Sequence, residues 1–252
     1  ATLAPVGPQD ILDDLAPNAL ELAGYGGYQK QISTSSADAQ GWFNRGIQLV
    51  YGFNHDAAVY AFARAAKEDP NCAIAWWGIA YSYGVDVNNL EVSELEARYA
   101  NVAIQEALRL RGNASAAEIS LIEAAARRAV YPIPDNRNEI DLAYSQAMKR
   151  AWDAHQNDPD IGTIYAESLM NMQRWEYWTP EGEPVANTEK FLAVLEDSLS
   201  INTLHPGANH FYIHAVEASK NPSKGVPAAE RLKELVPGSG HLVHMPSHIF
   251  AN

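Results

Sequence analysis

The chain has 252 residues, with 18 Lys+Arg against 31 Asp+Glu, a formal charge of −13 and no run of basic residues. That balance lacks the basic footprint a phosphate backbone selects, so nucleic acid is not an expected partner. Hydrophobic content of 47% with 19% charged residues belongs to a chain that folds around a core; no apolar stretch approaches the roughly 20 residues of a membrane span, and the single cysteine, Cys72, allows no disulfide within the chain.

The first residue is Ala1, and the opening Ala1-Thr2-Leu3-Ala4-Pro5-Val6-Gly7-Pro8 reads as a start left by processing. The expectation is export, to a periplasm or the extracellular space. Residues 1–38 are expected to be an N-terminal segment with a lead-in helix, and residues 39–252 a helical repeat domain. Residues 39–72 form one complete helix-turn-helix unit of about 34 residues. Counted from Ala39, Trp42 is at place 4, Gly46 at 8, Ala58 at 20, Phe62 at 24, Ala65 at 27 and Pro70 at 32. Small residues let two antiparallel helices approach, aromatics fill the space between them, and the proline stops the second helix. A second unit opens at Ala73 with Trp76, Ala80 and Tyr83 in matching places, and its first helix fits better than its second.

Helical periodicity continues over 94–110, 115–130, 139–156, 161–175 and 187–199, interrupted by Pro/Gly-rich stretches at 131–136 and 179–184. Pro237 ends a helix over about 226–235, which puts the start of that unit at Pro206, its first helix near 207–219 and the next unit near Gly240. On these residues the chain resembles the tetratricopeptide repeat (TPR) family over most of its length. The resemblance implies an all-α fold, a right-handed superhelical solenoid of antiparallel helix pairs in which the first helix of each pair lines a concave groove. The chain stops at Asn252, in or just after a first helix without its partner, so a fragment, or cover from another chain, is expected at that end.

Six of the eight histidines, His205, His210, His214, His241, His244 and His248, lie between positions 205 and 248. His210 and His214 are spaced i,i+4 and Glu217 follows three residues on, so all three project from one helix face. That spacing presents two imidazoles and a carboxylate to one divalent cation. His244 and His248 repeat the i,i+4 spacing, with His241 three residues earlier, although Pro246 places His241 and His244 in the approach to a helix. The repeat register puts both blocks on consecutive first helices, parallel and about 10 Å apart. The predicted metal ligands are His210, His214, Glu217, His241, His244 and His248, with Met245 as an added soft ligand or an apolar contact. An imidazole-rich shell selects zinc or copper, with iron as a further candidate, over calcium or magnesium. The segment His241-Leu242-Val243-His244-Met245-Pro246-Ser247-His248, with His210-x3-His214-x2-Glu217 before it, resembles a group of bacterial TPR proteins and implies no particular reaction.

Glu167 reads either as a groove-facing ligand or base, or as a solvated helix residue. Trp175-Glu176-Tyr177-Trp178 reads as a wall over the His cluster or as packing under the next loop. Asn113-Ala114-Ser115 matches a glycosylation acceptor but is read as a helix cap. No phosphate loop, nucleophile elbow or CxxC pair is present. Two functions follow: a metal protein with its site in the groove, for metal handling or metal-dependent chemistry, or a scaffold binding a peptide or protein partner. Clustered imidazoles also suit a pH-sensitive self-assembly element.

Overall fold

The computed structural model describes residues 5–89 and 91–251; the first four residues, which carry part of the export reading, lie outside them, as does Asn252. Among the described residues the regular structure is helical, with one isolated bridge between Trp178 and Pro184. Helix α1 (Pro8–Leu15) leads in. The pairs are α2 (Ala37–Tyr51) with α3 (His55–Glu68), α4 (Ala73–Ser82) with α5 (Glu94–Leu110), α6 (Ala116–Ala125) with α7 (Asn138–Ala154), α8 (Pro159–Asn171) with α9 (Thr188–Ile201), and α10 (Pro206–Val216) with α11 (Val226–Leu235). Two short helices, α12 (Gly240–His244) and α13 (Ser247–Phe250), close the described chain. Among the described residues no helix is long and apolar enough to cross a membrane.

The first complete repeat forms where the sequence places it, for reasons visible in its caps and contacts. Ser36 accepts the Ala39 amide and starts α2, and Asn54 accepts the Ala57 amide and starts α3. Phe62 on α3 is fully buried, lying against Gly46 of α2 and Gly78 of α4. A Cβ at Gly46 would stand 2.5 Å from the Phe62 ring and one at Gly78 2.4 Å from it, so glycine sets how closely three helices meet. Gly78→Ala is therefore expected to cost about 1–3 kcal/mol by overpacking. Gly41→Ala, at an exposed site in α2 with open space around it, is expected to be neutral or to stabilise by up to about 1 kcal/mol. Thermal melts of the two variants side by side check both; equal melting temperatures would contradict the close-packing account.

The first helices form an inner layer. Every residue of α4 and of α10 is buried, and so is α8 from Asp160 to Asn171, the all-round burial expected of central helices. Helix α10 also packs against α2, so the superhelix curls until its late and early repeats touch. Ser115 caps α6 through the Glu118 amide, as its place in the sequence predicted.

Residues 19–35 are non-helical and lace across this inner layer. The Tyr28 carbonyl accepts from Gln48, the Lys30 amide donates to Asn44, and the Ser33 amide and hydroxyl donate to Glu118 at the start of α6. Lys30 Nζ lies 2.8 Å from Asp158 and 3.0 Å from Asp160 at the start of α8. Asp160 also accepts from Tyr51 at 2.6 Å and lies 3.2 Å from His205 Nε2. Burial opposes its charge, but Lys30, then His205 and Tyr51, more than offset it and hold the carboxyl well below the usual range. His205 is the N-cap of α10: its Nδ1 accepts the Ala208 amide, so Nε2 carries the proton shared with Asp160. Both ring nitrogens are thus committed to holding the fold.

Candidate metal centre

Helix α10 presents His210 and His214 one turn apart, on a helix with no exposed face. His241 arrives on α12, started by the Ser239 hydroxyl, which accepts the Leu242 amide and donates to the Gly52 carbonyl at the end of α2. One ring nitrogen from each of His210, His214 and His241 lies within 4.8 Å of the other two, and His241 Nε2 is 3.0 Å from His210 Nε2. Around a tetrahedral ion with bonds of about 2.0–2.1 Å, two imidazole nitrogens stand roughly 3.3 Å apart. The side chains are therefore already close to a chelating arrangement.

Proton positions sharpen this picture. Glu217, the first residue past α10, places Oε1 3.1 Å from His214 Nδ1 and Oε2 2.6 Å from His248 Nδ1. A carboxylate only accepts, so each Nδ1 carries the hydrogen and each Nε2 is left as a lone-pair donor. His214 Nε2 is buried with no hydrogen-bond partner. His210 Nδ1 also has none in hydrogen-bond geometry, with the Tyr51 backbone carbonyl near but outside it. Burial first, then the neighbouring imidazoles, push His210 well below its usual pKa, and the same causes push His241 down to about 4. Both are neutral at pH 7, the form that binds metal.

These depressed values make the metal-free protein sensitive to acid. Below the ordinary imidazole pKa of about 6.5 the unfolded chain takes up protons that folded His210 and His241 refuse. Their contribution to stability is complete above pH 6.5 and is lost as the pH falls toward 4. At pH 5 the metal-free protein is therefore expected to melt at a lower temperature than at pH 7.5. Melts of chelator-treated protein at pH 7.5 and 5 check this, and an unchanged Tm would contradict it.

Two aromatic rings flank the cluster from strained backbone. Phe53 and Trp175 have φ of 57° and 63°, a region bulky residues seldom enter. The Phe53 ring stacks on His241 at 5.0 Å and meets His210 edge-on at 4.4 Å; Trp175 meets His214 edge-on at 5.0 Å. Trp175 thus lies over the cluster, whereas Tyr177 packs on Phe191 and Trp178 donates to the Ala215 carbonyl, so the aromatic run divides between the two expected roles. A cavity of about 340 Å³ opens beside His241, lined by Phe53, His55 and Asp86 among others, with His55 Nδ1 3.0 Å from Asp86.

His244 and His248 lie at the outer edge of the cluster, their Nε2 atoms 3.2 Å apart. Met245 is buried in the core. Glu167 is buried, not solvated: it accepts from Tyr81 and Asn171, and burial raises its pKa more than Arg128 and Tyr81 lower it. Phe53 and the His55–Asp86 pair escaped the sequence reading, because a positive φ and a pairing across 31 positions leave no mark in local spacing.

No protein-family model matches the sequence, and no curated protein matches it. Among solved structures, a thermophilic TPR protein from Thermus thermophilus aligns with 85% of this chain and 100% of its own, at a TM-score of 0.52 and 15% identity. At that identity the likeness is one of fold, and it gives the chain the architecture of a TPR-like helical solenoid.

Proposed function

We propose that this protein binds a transition-metal ion, zinc or copper before iron, through His210, His214 and His241, with Glu217 as the carboxylate that orients the ligands. The observation that carries the reading is His214. Its Nδ1 is committed to Glu217 while its Nε2, buried and without a partner, converges on two further imidazoles. A buried polar atom left unpaired costs about 1–3 kcal/mol, and a bound cation removes that cost. Three imidazoles leave a coordination position for water or a small substrate, and a cavity of about 340 Å³ lies beside His241. Such an ion supplies Lewis acidity and, if copper, redox chemistry.

The same geometry suits metal handling and metal-dependent chemistry, and the scaffold reading is less favoured. TPR folds commonly hold protein partners in the groove, but here residues 19–35 and the contact of α10 with α2 take up much of the inner face. Titration of chelator-treated protein with Zn²⁺ or Cu²⁺ at pH 7.5 tests the metal reading. His210 and His241 have no proton to release, so the binding heat should be nearly the same in buffers of different ionisation enthalpy. Absence of any binding heat would sink the proposal.

A further inference from the structure

We infer that the centre holds two ions, the second bound by His244 and His248 beside the first. This rests on the metal reading of the buried trio. His244 Nε2 and His248 Nε2 lie 3.2 Å apart, almost the spacing of the His210–His241 pair at 3.0 Å. The break at Met245 and Pro246 separates α12 from α13 yet keeps the two imidazoles one helical turn apart, with ring centroids at 4.9 Å. Pro246 thus interrupts the helix without separating the ligands.

Glu217 ties the two sets together. Its two oxygens reach one imidazole in each, His214 in the trio and His248 in the pair. The carboxylate accepts a hydrogen bond from each Nδ1–H, which leaves His248 Nε2 as a lone pair directed at His244. Ser247 Oγ lies 3.4 Å from His244 Nδ1, and a hydroxyl accepting there leaves His244 Nε2 as a second lone pair. Two lone pairs face to face repel unless a cation lies between them. The rings of His214 and His248 are 5.7 Å apart, so two ions bound in this way are near neighbours.

The two positions differ in exposure. His210 and His214 are buried, whereas His244 is exposed and the His248 side chain is 34% exposed. The outer ion completes its shell with water and leaves readily, while the inner ion is retained. Chelator-treated protein saturated with Cu²⁺ is expected to carry two equivalents. A weak chelator should remove one, and His244→Ala/His248→Ala should bind one with the affinity of the inner site retained. The Cu²⁺ electron paramagnetic resonance signal should be broadened or lost in the two-ion form and ordinary in that variant.

Because His244 and His248 lie at the surface, the variant is expected to keep the circular dichroism of the parent. No bound copper overturns both this inference and the reading on which it rests. One equivalent, unchanged in the variant, overturns the second ion alone. Two equivalents in both proteins place the outer ion elsewhere and also overturn it. The remaining arrangement, in which His244 donates a proton to His248, appears as one protonated and one lone-pair Nε2 in ¹⁵N spectra recorded under saturating Zn²⁺.

Discussion

Replacing His210 and His214 together by Ala is expected to weaken binding at the inner site by more than a factor of about 100. Losing a residue that only orients a ligand already costs about 10–100-fold, and this change deletes two of the three ligands themselves. The remaining imidazole, His241, is only partly buried and has no second nitrogen to close a chelate. Competition against a fluorescent zinc chelator measures the change. An affinity within a few-fold of the parent, in a variant that keeps its helical circular dichroism, would contradict the assignment.

The second large effect is on stability. An ion that binds the folded chain at about 1,000 times its dissociation constant adds about 4.1 kcal/mol, or about 8–16 °C in Tm for a chain of this size. Glu217→Gln should shrink that gain. An amide offers one accepting oxygen and one donating nitrogen, so it cannot accept a hydrogen bond from both His214 and His248 and turns one ring to the wrong tautomer. A loss of 10–100-fold in affinity corresponds to about 1.4–2.7 kcal/mol, lowering the metal-induced rise by about 3–11 °C at the same metal concentration. Melts with and without Zn²⁺ give the difference directly; an equal rise in both proteins would remove Glu217 from the centre.

The fold was legible where contacts are local. Gly46, Phe62 and Pro70 mark one repeat by spacing alone, and α3 falls within it while α2 starts two residues ahead of it at Ala37, because each small or aromatic residue meets its neighbour a fixed distance along the chain. The expected helix over 115–130 ends instead at Ala125. Arg128 leaves the helical path to donate to the Tyr81 and Val85 carbonyls, partners more than 40 positions away that periodicity cannot reveal. Residues 19–35 have no periodicity, so their course across α2, α6 and α8 was invisible.

The site shows the same division. The i,i+4 spacing of His210 and His214 and the repeat register were enough to bring His241 within reach. They did not separate the buried trio from the outer pair, nor did they show that His205 is an N-cap held by Asp160. Glu167 is buried because Tyr81, 86 positions earlier, supplies the hydrogen bond that makes burial tolerable. Trp175 over the cluster was one of the two roles its aromatic run offered, whereas Phe53 was beyond reach because its place over the imidazoles depends on a backbone conformation that its side chain disfavours.

The most direct test is the metal content of the full chain as purified, by elemental mass spectrometry after dialysis, beside His210→Ala/His214→Ala. The account predicts at least one equivalent of zinc, copper or iron per chain in the parent and none in the variant. A parent without metal that also takes up neither Zn²⁺ nor Cu²⁺ would contradict it.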